Sequence, residues 1–395
     1  MPPREDPFDP LDESTVADPH ATYARLRASC PVARGERWGG FWALTTYADV
    51  VAASTAPRVF SSRSGVVIPI NPLAGRRLPM HFDPPEHTAY RRMLNPAFHA
   101  GRAAALEPAV RGIADRLLAP LVPGRAELIG RYASPLASLV LAAFLGMPEE
   151  FGTRLERYSV RFERAQADGD ADAVEDANRV LQEYAREVFA AQRERADPLS
   201  VVGALAAGRV QGRPLTEEEI VGSVRQIFIA GHIAVAAALG SAVRHLAEDA
   251  GLQDRLRRDP ALVPAAVEEL LRLHTPNQGF ARTATEDVVV GGRRIRAGEQ
   301  VALVYTSANR DPAVFGDPDR FDLGRGPARH LAFGHGVHKC VGMELARLEL
   351  RTGLTALLAA TSSVTLAAEP EPLRWPVHGP ATLPAVLTAA PAGHR

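Results

Sequence analysis

An apolar run over residues 227–239, broken only by one glycine and one histidine, sets the strongest limit on the fold of this chain. Thr216 and Glu219 form a capping-box pattern ahead of the run, which predicts a helix over 220–246. The run is shorter than the roughly 18–20 residues that cross a bilayer, so we expect the helix to be buried inside the protein. Such a helix requires a large core, which a chain of 395 residues with 46% hydrophobic side chains can form.

The charge balance and the cysteine content exclude several classes of protein. Lysine and arginine total 45 against 46 acidic residues, a formal net charge of −1, so neither nucleic acid nor an anionic membrane is a predicted partner. Cys30 and Cys340 are too few for a disulfide framework and are typical of a reducing compartment. Residues 1–20 are acidic and proline-rich, so we expect an irregular leader, no signal sequence or membrane anchor, and a cytoplasmic location.

The rest of the chain has a mostly helical pattern. Helical spacing begins near Pro19, a strand is predicted over 40–45, and residues 61–80 have the composition of a long loop. Residues 84–248 are predicted to be helical with four breaks. Short strands are predicted at 287–290 and 300–304, and a last helix begins near Cys340. No internal repeat or linker divides the sequence, so we predict one mostly α domain with small β-sheets over residues 1–395.

The segment that carries the chemistry is Phe333-Gly334-His335-Gly336-Val337-His338-Lys339-Cys340-Val341-Gly342. It places Cys340 at the predicted start of a helix, where backbone N–H groups and the helix dipole stabilise a thiolate that can bind a metal. One cysteine cannot build a zinc or iron–sulfur site, whereas a macrocycle that supplies four nitrogens needs only one protein ligand. The pattern therefore indicates haem with an axial thiolate.

This segment resembles the haem-binding segment of the cytochrome P450 monooxygenases. The resemblance implies the triangular, mostly helical fold of that family, with haem b (iron protoporphyrin IX) as the cofactor. It also implies that Cys340 ligates the iron and that Phe333 and Gly342 lie beside the cofactor. The haem carries two propionates, and the residues that match the family's propionate positions are His87, Arg91, Arg282 and His338. Taken alone, each of these is also consistent with a solvated arginine or a histidine that bonds the backbone.

Two further segments match the family in order and spacing. Glu269 and Arg272 resemble the family's Glu-x-x-Arg pair, and the segment Asp317-Pro318-Asp319-Arg320-Phe321 resembles the one whose arginine completes that network. We therefore expect Glu269, Arg272 and Arg320 to hold the cysteine loop in place. In isolation, a glutamate and an arginine at this spacing would be an ordinary surface pair worth a few tenths of a kcal/mol.

The apolar helix departs from the family pattern. By resemblance, the oxygen-activating segment comprises Ala230, Gly231, Ile233 and Ala234, but the family's acid and alcohol normally occupy the positions of Ile233 and Ala234. Those groups help to deliver protons to dioxygen. His232 lies about 200° around the helix from Ala230, so we expect it to be a core histidine rather than a substitute acid. Three alternatives follow: the substrate supplies the proton relay, peroxide replaces dioxygen, or the enzyme removes hydrogen or an electron without inserting oxygen.

Substrate contacts are predicted by region. They are the loop 66–80, the stretch 162–167 and seven individual residues. The named residues predicted to contact the substrate are Gln226, Ile227, Ala230, Ala234, Asn277, Gln278 and Phe280. An amide and a ring at Gln278 and Phe280 would suit a mid-sized, partly polar metabolite, although either could simply pack at the edge of the haem.

The sequence therefore predicts a haem-thiolate oxidase or monooxygenase that acts on a small specialised metabolite. By resemblance it takes electrons from a ferredoxin and an NAD(P)H-dependent ferredoxin reductase. An acidic ferredoxin could dock on the cysteine side at Arg92, Lys339 and Arg347, although these could equally be solvated surface charges. Oxidative coupling, desaturation or rearrangement is the alternative within the family. A haem-binding sensor or carrier without activity is the alternative from another class.

Overall fold

The structure is a computed structural model that describes residues 8–70, 75–195, 197–326 and 329–391. Helices dominate it, as the sequence predicts. The helices are α1 Glu13–Ala17, α2 Pro19–Ser29, α3 Tyr47–Thr55, α4 Glu86–Leu94, α5 Ala100–Ala105, α6 Glu107–Leu118, α7 Ser134–Phe144, α8 Glu149–Asp168, α9 Ala171–Arg195, α10 Val201–Ala207, α11 Glu217–Gly231, α12 Ile233–Glu248, α13 Ala250–Arg258, α14 Val263–Leu273, α15 Tyr305–Ala308 and α16 Met343–Ala360.

The strands form small sheets at the margin of the helical core. They are β1 Val32–Gly35, β2 Phe41–Leu44, β3 Phe60–Ser61, β4 Gly124–Glu127, β5 Arg209–Val210, β6 Arg213–Pro214, β7 Phe280–Ala284, β8 Val288–Val290, β9 Arg293–Ile295, β10 Gln300–Leu303, β11 Thr361–Leu366 and β12 Pro384–Ala389. One sheet has the order β1-β2-β10-β7-β3 and another the order β11-β12-β4. In the first sheet β10 pairs with β2 in parallel and with β7 in antiparallel register, with Leu303 opposite Leu44 and Phe280.

The predicted apolar helix is at the centre, but it is two helices. α11 begins at the predicted capping box, where the Glu219 N–H donates to Thr216 and the Thr216 N–H donates to the Glu219 carboxylate. It ends at Gly231, and His232, with φ −111° and ψ −72°, separates it from α12. The run Glu217–Glu248 is long and apolar enough to cross a membrane, yet 78% of its most apolar window is buried within the protein, which is the behaviour of a core helix.

The prediction of an irregular leader over 1–20 was wrong for the part that the structure describes. Asp12 caps α1, and Pro19 begins α2. Phe8 is buried and packs edge-on against Phe41 at 5.9 Å between ring centroids. The Phe8 N–H also donates to the Arg34 carbonyl of β1 at 3.0 Å, so ring packing and a backbone bond together attach this segment to the first sheet. Residues 1–7 lie outside the described part.

Candidate active site

A mostly apolar cavity of about 250 Å³ lies between α4, the α11–α12 break, β7 and the loop that precedes α16. Loops and helices from distant parts of the sequence meet there. The predicted site residues that line it are His87, Arg91, Gln226, Ile227, Ala230, Ile233, Ala234, Asn277, Phe280, Arg282, Phe333, His338 and Cys340. Gly231, Gln278 and Gly342 do not line it.

The cysteine loop is closed by its own backbone. The Cys340 N–H donates to the Phe333 carbonyl at 2.8 Å, and the Gly334 N–H donates to the Leu331 carbonyl at 2.8 Å. Gly336 has φ +68°, and a Cβ there would collide with the carbonyl oxygen of Ser54 at the end of α3. This glycine therefore allows two stretches of protein backbone to approach closely.

The groups around the Cys340 sulfur shift the pKa of its thiol in opposite directions. The Cys340 side chain is exposed to the cavity, but the protein around it limits its contact with bulk water and raises the pKa of the thiol, while the Gly342 backbone N–H and the nearby Arg91 act in the opposite direction. Gly342 is also the residue just before α16, so its N–H points from the start of that helix to the sulfur. A metal ion at the sulfur would deprotonate it outright, and these donors would then stabilise the thiolate.

The Glu-x-x-Arg pair is a buried ion pair that reaches the cysteine loop. Glu269 and Arg272, at 3% and 0% side-chain exposure, lie 2.8 Å apart. Arg272 donates to the carbonyl of Asn309 at 3.0 Å, and the side-chain oxygen of Asn309 accepts the Leu331 N–H at 2.6 Å. The pair therefore fixes the residue at which the cysteine loop closes.

The assignment of the third member of this network to the Arg320 side chain was wrong. The Arg325 guanidinium pairs with Glu269 at 3.0 Å, and Arg320 is exposed. Arg320 contributes only its carbonyl, which accepts from Arg272 at 3.2 Å and from Arg325 at 3.1 Å. The chain turns back between the two arginines, so the side chain that points inward comes later in the sequence than the motif indicates.

A second set of contacts also holds the cysteine loop, and the sequence did not predict it. Glu268 accepts from Arg347 at 2.7 Å and lies 3.2 Å from His330, and the Arg347 guanidinium lies over the Phe333 ring at 4.9 Å. Burial opposes ionisation of Glu268, but its bonds to His330 and Arg347 prevail and lower its pKa to about 2. Glu268 directly precedes Glu269, so two adjacent residues of α14 hold the cysteine loop through two separate sets of contacts.

Four predicted cationic or hydrogen-bonding residues meet at one edge of the cavity. His87 and Arg91 lie one turn apart on α4, and the His87 ring lies 4.1 Å from that of His338. Arg282 reaches the same place from β7. Burial and then Arg91 lower the pKa of His87 to about 4, although Asp83 opposes this; burial and then Arg282 lower that of His338 to about 2. None of the four is an acid, so the cluster suits a bound dianion.

One part of the cavity wall is apolar. Ala230 and Ala234 face the cavity one turn apart, with Ile233 beside them. A Cβ on Gly231 would point at Leu141 of α7 rather than into the cavity. His232 is fully buried, and its Nε2 lies 2.9 Å from the Ser134 hydroxyl, so it is a core histidine. Burial lowers its pKa to about 4, so it is neutral at physiological pH.

The far end of the cavity is polar. Arg77 donates to Gln166 at 2.9 Å, and Glu163 lies beside them. Gln226 donates to the Met80 sulfur at 3.0 Å, while its buried Oε1 has no hydrogen-bond partner. Gln226 and the regions 66–80 and 162–167 were predicted to line the cavity, but Arg77, Glu163 and Gln166 were not named individually. Residues 71–74 of the loop lie outside the described part, as does the side chain of Ala167.

Comparison with known proteins identifies the family. The family model described as Cytochrome P450 matches residues 166–366. Nocardicin C N-oxygenase from Nocardia uniformis subsp. tsuyamanensis is 37% identical over 378 residues, which is 93% of this chain and 94% of that protein. The chain belongs to the cytochrome P450 family. It is therefore a P450 oxidoreductase of the monooxygenase type, and the family cofactor is haem.

Other comparisons agree on both family and fold. Mycinamicin IV hydroxylase/epoxidase from Micromonospora griseorubida is 35% identical over 402 residues, covering 97% of this P450 and 98% of that protein. The solved structure of cytochrome P450 CYP109Q5 from Chondromyces apiculatus matches with a TM-score of 0.87 and 30% identity, covering 98% of this P450 and 100% of that chain. The predicted fold class, mostly helical with small sheets, is thereby confirmed.

The prediction that Gln278 contacts the substrate of this P450 was wrong. Its side chain accepts from the Tyr23 hydroxyl at 2.6 Å and donates to the Val377 carbonyl at 2.9 Å. Gln278 is 5% exposed and lies behind the cavity wall, so its amide ties α2 to the C-terminal loop. Its neighbours Asn277 and Gly279 face the cavity instead. The alternation of a nearly extended segment put the amide on the far side.

Arg347 of this P450 is not a free surface charge. Its guanidinium pairs with Glu268 at 2.7 Å and with Glu344 at 2.9 Å. Arg92 and Lys339 are exposed near the cysteine loop. Of the three cations predicted to contact a ferredoxin, Arg92 and Lys339 are therefore the two with exposed charges.

Proposed function

We propose that this P450 binds haem b with the Cys340 thiolate as the protein ligand of the iron. Cys340 opens into a cavity whose one edge carries His87, Arg91, Arg282 and His338, and this pairing of a thiol with a dianion site is the observation on which the proposal rests. The four side chains would hold the two propionates. Phe333, beneath Arg347, would border the macrocycle, and the Gly342 N–H would stabilise the sulfur. When bound, haem supplies the reductive activation of dioxygen.

We further propose that the protein is a monooxygenase of a small specialised metabolite. Support comes from the two relatives, named as an N-oxygenase of nocardicin C and a hydroxylase/epoxidase of mycinamicin IV. The cavity is apolar beside Ala230 and Ala234 and polar at Gln226 and Arg77. It thus suits a mid-sized molecule with a polar end, held so that an apolar part lies near Cys340. Asn277, Ile227 and Phe280 would complete its contacts.

We propose that the substrate itself takes part in proton delivery. Ile233 and Ala234 carry no proton donor, and His232 is neutral and bonded to Ser134 away from the cavity. Among the described residues around Ala230, Gln226 is one turn earlier on α11 and has a buried, unpartnered Oε1. It can accept a hydrogen bond from a substrate hydroxyl or amide and thereby fix the group that orders the proton-relaying water.

Electrons would come from a ferredoxin and an NAD(P)H-dependent ferredoxin reductase in the cytoplasm. Arg92 and Lys339 are exposed on the cysteine side, where an acidic ferredoxin would approach the cofactor along the shortest path. The buried position of Glu217–Glu248 supports a protein that works without a membrane anchor in this helix.

The test is turnover of candidate metabolites with reconstituted ferredoxin and reductase under isotopically labelled dioxygen. The proposal expects one labelled oxygen atom in the product and product formed in near-equal amount to the NADPH consumed. Unlabelled product formed under labelled dioxygen would contradict oxygen insertion and would indicate coupling, desaturation or rearrangement instead. Tight binding of a metabolite without any product would contradict it in favour of a carrier. Turnover supported by peroxide but not by ferredoxin would contradict the electron-donor part alone.

A further inference from the structure

Three histidines from distant parts of the sequence meet on the side of the protein behind Gln278. His20 lies in the first turn of α2, His274 directly follows α14, and His378 lies in the loop between β11 and β12. One ring nitrogen from each lies within 4.8 Å of the others. All three line a second cavity of about 240 Å³, which Gln278 and Trp375 also border. This cavity is distinct from the one that contains Cys340.

The three imidazoles are held in position, and His20 has a ring nitrogen without a hydrogen-bond partner. The backbone N–H of His378 donates to the Pro276 carbonyl at 2.7 Å, which fixes its loop against the end of α14. His274 Nε2 and His245 Nδ1 lie 3.2 Å apart, and His20 packs edge-on against His378 at 4.9 Å between ring centroids. The buried Nδ1 of His20 has no hydrogen-bond partner. An unpartnered buried nitrogen costs free energy unless something binds it.

Burial disfavours the protonated form of all three rings. Burial lowers the pKa of His378 to about 4 and those of His20 and His274 well below the ordinary value, and nearby cations act in the same direction. Neutral imidazole is the form that ligates metals.

The charged groups around the cluster have mixed signs. Arg310 and Arg244 are the cations, and each already has an acidic partner: Asp319 at 2.8 Å for Arg310, and Glu248 at 2.9 Å for Arg244. Arg27 also lowers the pKa of His20, and it donates to Ser307 at 2.9 Å. Asp18, at the cap of α2, is a carboxylate that raises the pKa of His378.

We propose that His20, His274 and His378 bind one transition-metal ion of the zinc class. Zinc–imidazole bonds of about 2.0–2.1 Å in tetrahedral geometry require nitrogen–nitrogen separations of about 3.3 Å. The ring nitrogens lie within 4.8 Å of one another, so metal binding requires the three rings to move closer together. Imidazole favours zinc, copper or nickel over magnesium or calcium. His245 orients His274 from outside the ligand set, and the cavity leaves a fourth position for water.

The site would join α2, the end of α14 and the loop before β12. Its role is structural, since Gln278 separates it from the cavity that contains Cys340. The metal would therefore stabilise the fold without changing the chemistry of the active site, and its binding does not depend on the proposed function.

The test is zinc binding to the purified, chelator-treated, haem-loaded protein, measured by equilibrium dialysis with elemental analysis and by competition with a chromophoric chelator. We expect one zinc ion per chain with micromolar or tighter affinity, and a zinc-dependent rise in melting temperature. His20→Gln and His378→Gln should each weaken binding at least 100-fold, and His245→Gln about 10-fold. His99→Gln, at an exposed histidine elsewhere, is the matched control and should bind as the wild type does.

Two results would overturn the proposal. The first is less than one-tenth of a zinc ion per wild-type chain at zinc concentrations that saturate ordinary histidine sites, and this result needs no variant to fold. The second is unchanged affinity in His20→Gln and His378→Gln when both variants keep the wild-type haem spectrum. Unaltered haem absorption throughout the titration is expected, because the two cavities are separate.

Discussion

Glu269 is the residue on which the cysteine loop most depends for its position. Its carboxylate pairs with Arg272 at 2.8 Å and with Arg325 at 3.0 Å, and it accepts the Asp322 N–H at 3.1 Å. Glu269→Gln would leave the fully buried Arg272 without a counter-charge, so we expect a loss of about 3–5 kcal/mol in the free energy of unfolding. Denaturant titration and the haem content of the purified protein measure this effect.

The two candidate arginines of this network provide a matched comparison. Arg325→Ala removes an ion pair to a buried acid, so the free energy of unfolding should fall by more than about 1 kcal/mol. Arg320→Ala removes an exposed side chain and keeps the carbonyl that both arginines use, so the change should stay within about 0.5 kcal/mol. Equal losses in the two variants would show that the Arg325 pair does not hold the loop.

His232 should make the protein sensitive to acid. Its pKa is about 4 in the folded protein, against 6.5 for the free side chain, because burial disfavours the charged form. The unfolded chain takes up this proton near pH 6.5 and the folded protein only near pH 4, so stability is full above pH 6.5 and is lost as the pH falls towards 4. The loss amounts to about 3 kcal/mol.

The matching variant is His232→Gln, which cannot titrate but can still bond Ser134. Its free energy of unfolding, followed by denaturant titration from pH 7 to pH 4, should fall by about 3 kcal/mol less than that of the wild type. Parallel profiles for the two proteins would refute a neutral buried His232.

Some residue roles could be inferred from the sequence because they lie in short contiguous motifs. Cys340, Phe333 and His338 belong to one segment, and the structure brings all three to the cavity. Arg325, Glu268 and His330 could not be found in this way, since their partners are set by how the chain turns back between α15 and α16. The three-histidine cluster joins residues more than 350 positions apart, and no local pattern signals it.

Gln278 and Gln226 have the same side chain, but the elements that carry them give them different roles. Gln278 links α2 to the loop before β12, whereas Gln226 on α11 has a free acceptor at the polar end of the cavity. Gln278→Ala should cost about 1–3 kcal/mol in the free energy of unfolding and leave KM unchanged. Gln226→Leu should raise KM several-fold and leave stability nearly unchanged. The opposite assignment of effects would contradict both placements.

The break between α11 and α12 shows that tertiary contacts can determine where a helix ends. The capping box at Thr216 and Glu219 was correctly predicted because it is a local signal. The apolar run that follows the capping box predicted one continuous helix over 220–246. In the structure His232 bonds Ser134 of α7 and leaves the helical line. Packing against a neighbouring helix, rather than propensity, set this boundary.

For the whole molecule, the charge distribution matters more than the net charge of −1. Lys339 is exposed beside Cys340, so Lys339→Glu should slow reduction by an acidic ferredoxin about 10-fold at low ionic strength, with a smaller effect at high salt. Arg179→Glu, on the exposed face of α9, is the matched control and should leave the rate unchanged. Stopped-flow reduction measures both. Equal slowing by the two variants would exclude docking at the cysteine side.

The fold class of the whole molecule could be inferred from the sequence because three ordered motifs and one apolar helix fix it. The sheets were harder to predict, since their strands are short. β2, β8 and β10 were predicted, whereas the other strands of the described residues, β1, β3, β4, β5, β6, β7, β9, β11 and β12, were not. β12 pairs with β11 and β4, so its place depends on long-range partners that no local pattern reveals.

Thiolate ligation of haem iron by Cys340 is the claim on which the account of function depends. The most direct measurement is the carbon monoxide difference spectrum of the reduced protein, for the wild type, Cys340→Ser and the control Cys30→Ser at the other, buried cysteine. We predict a Soret band typical of thiolate ligation in the wild type and Cys30→Ser, and its loss in Cys340→Ser. Absence of that band from the wild type, or its persistence in Cys340→Ser, would contradict the claim.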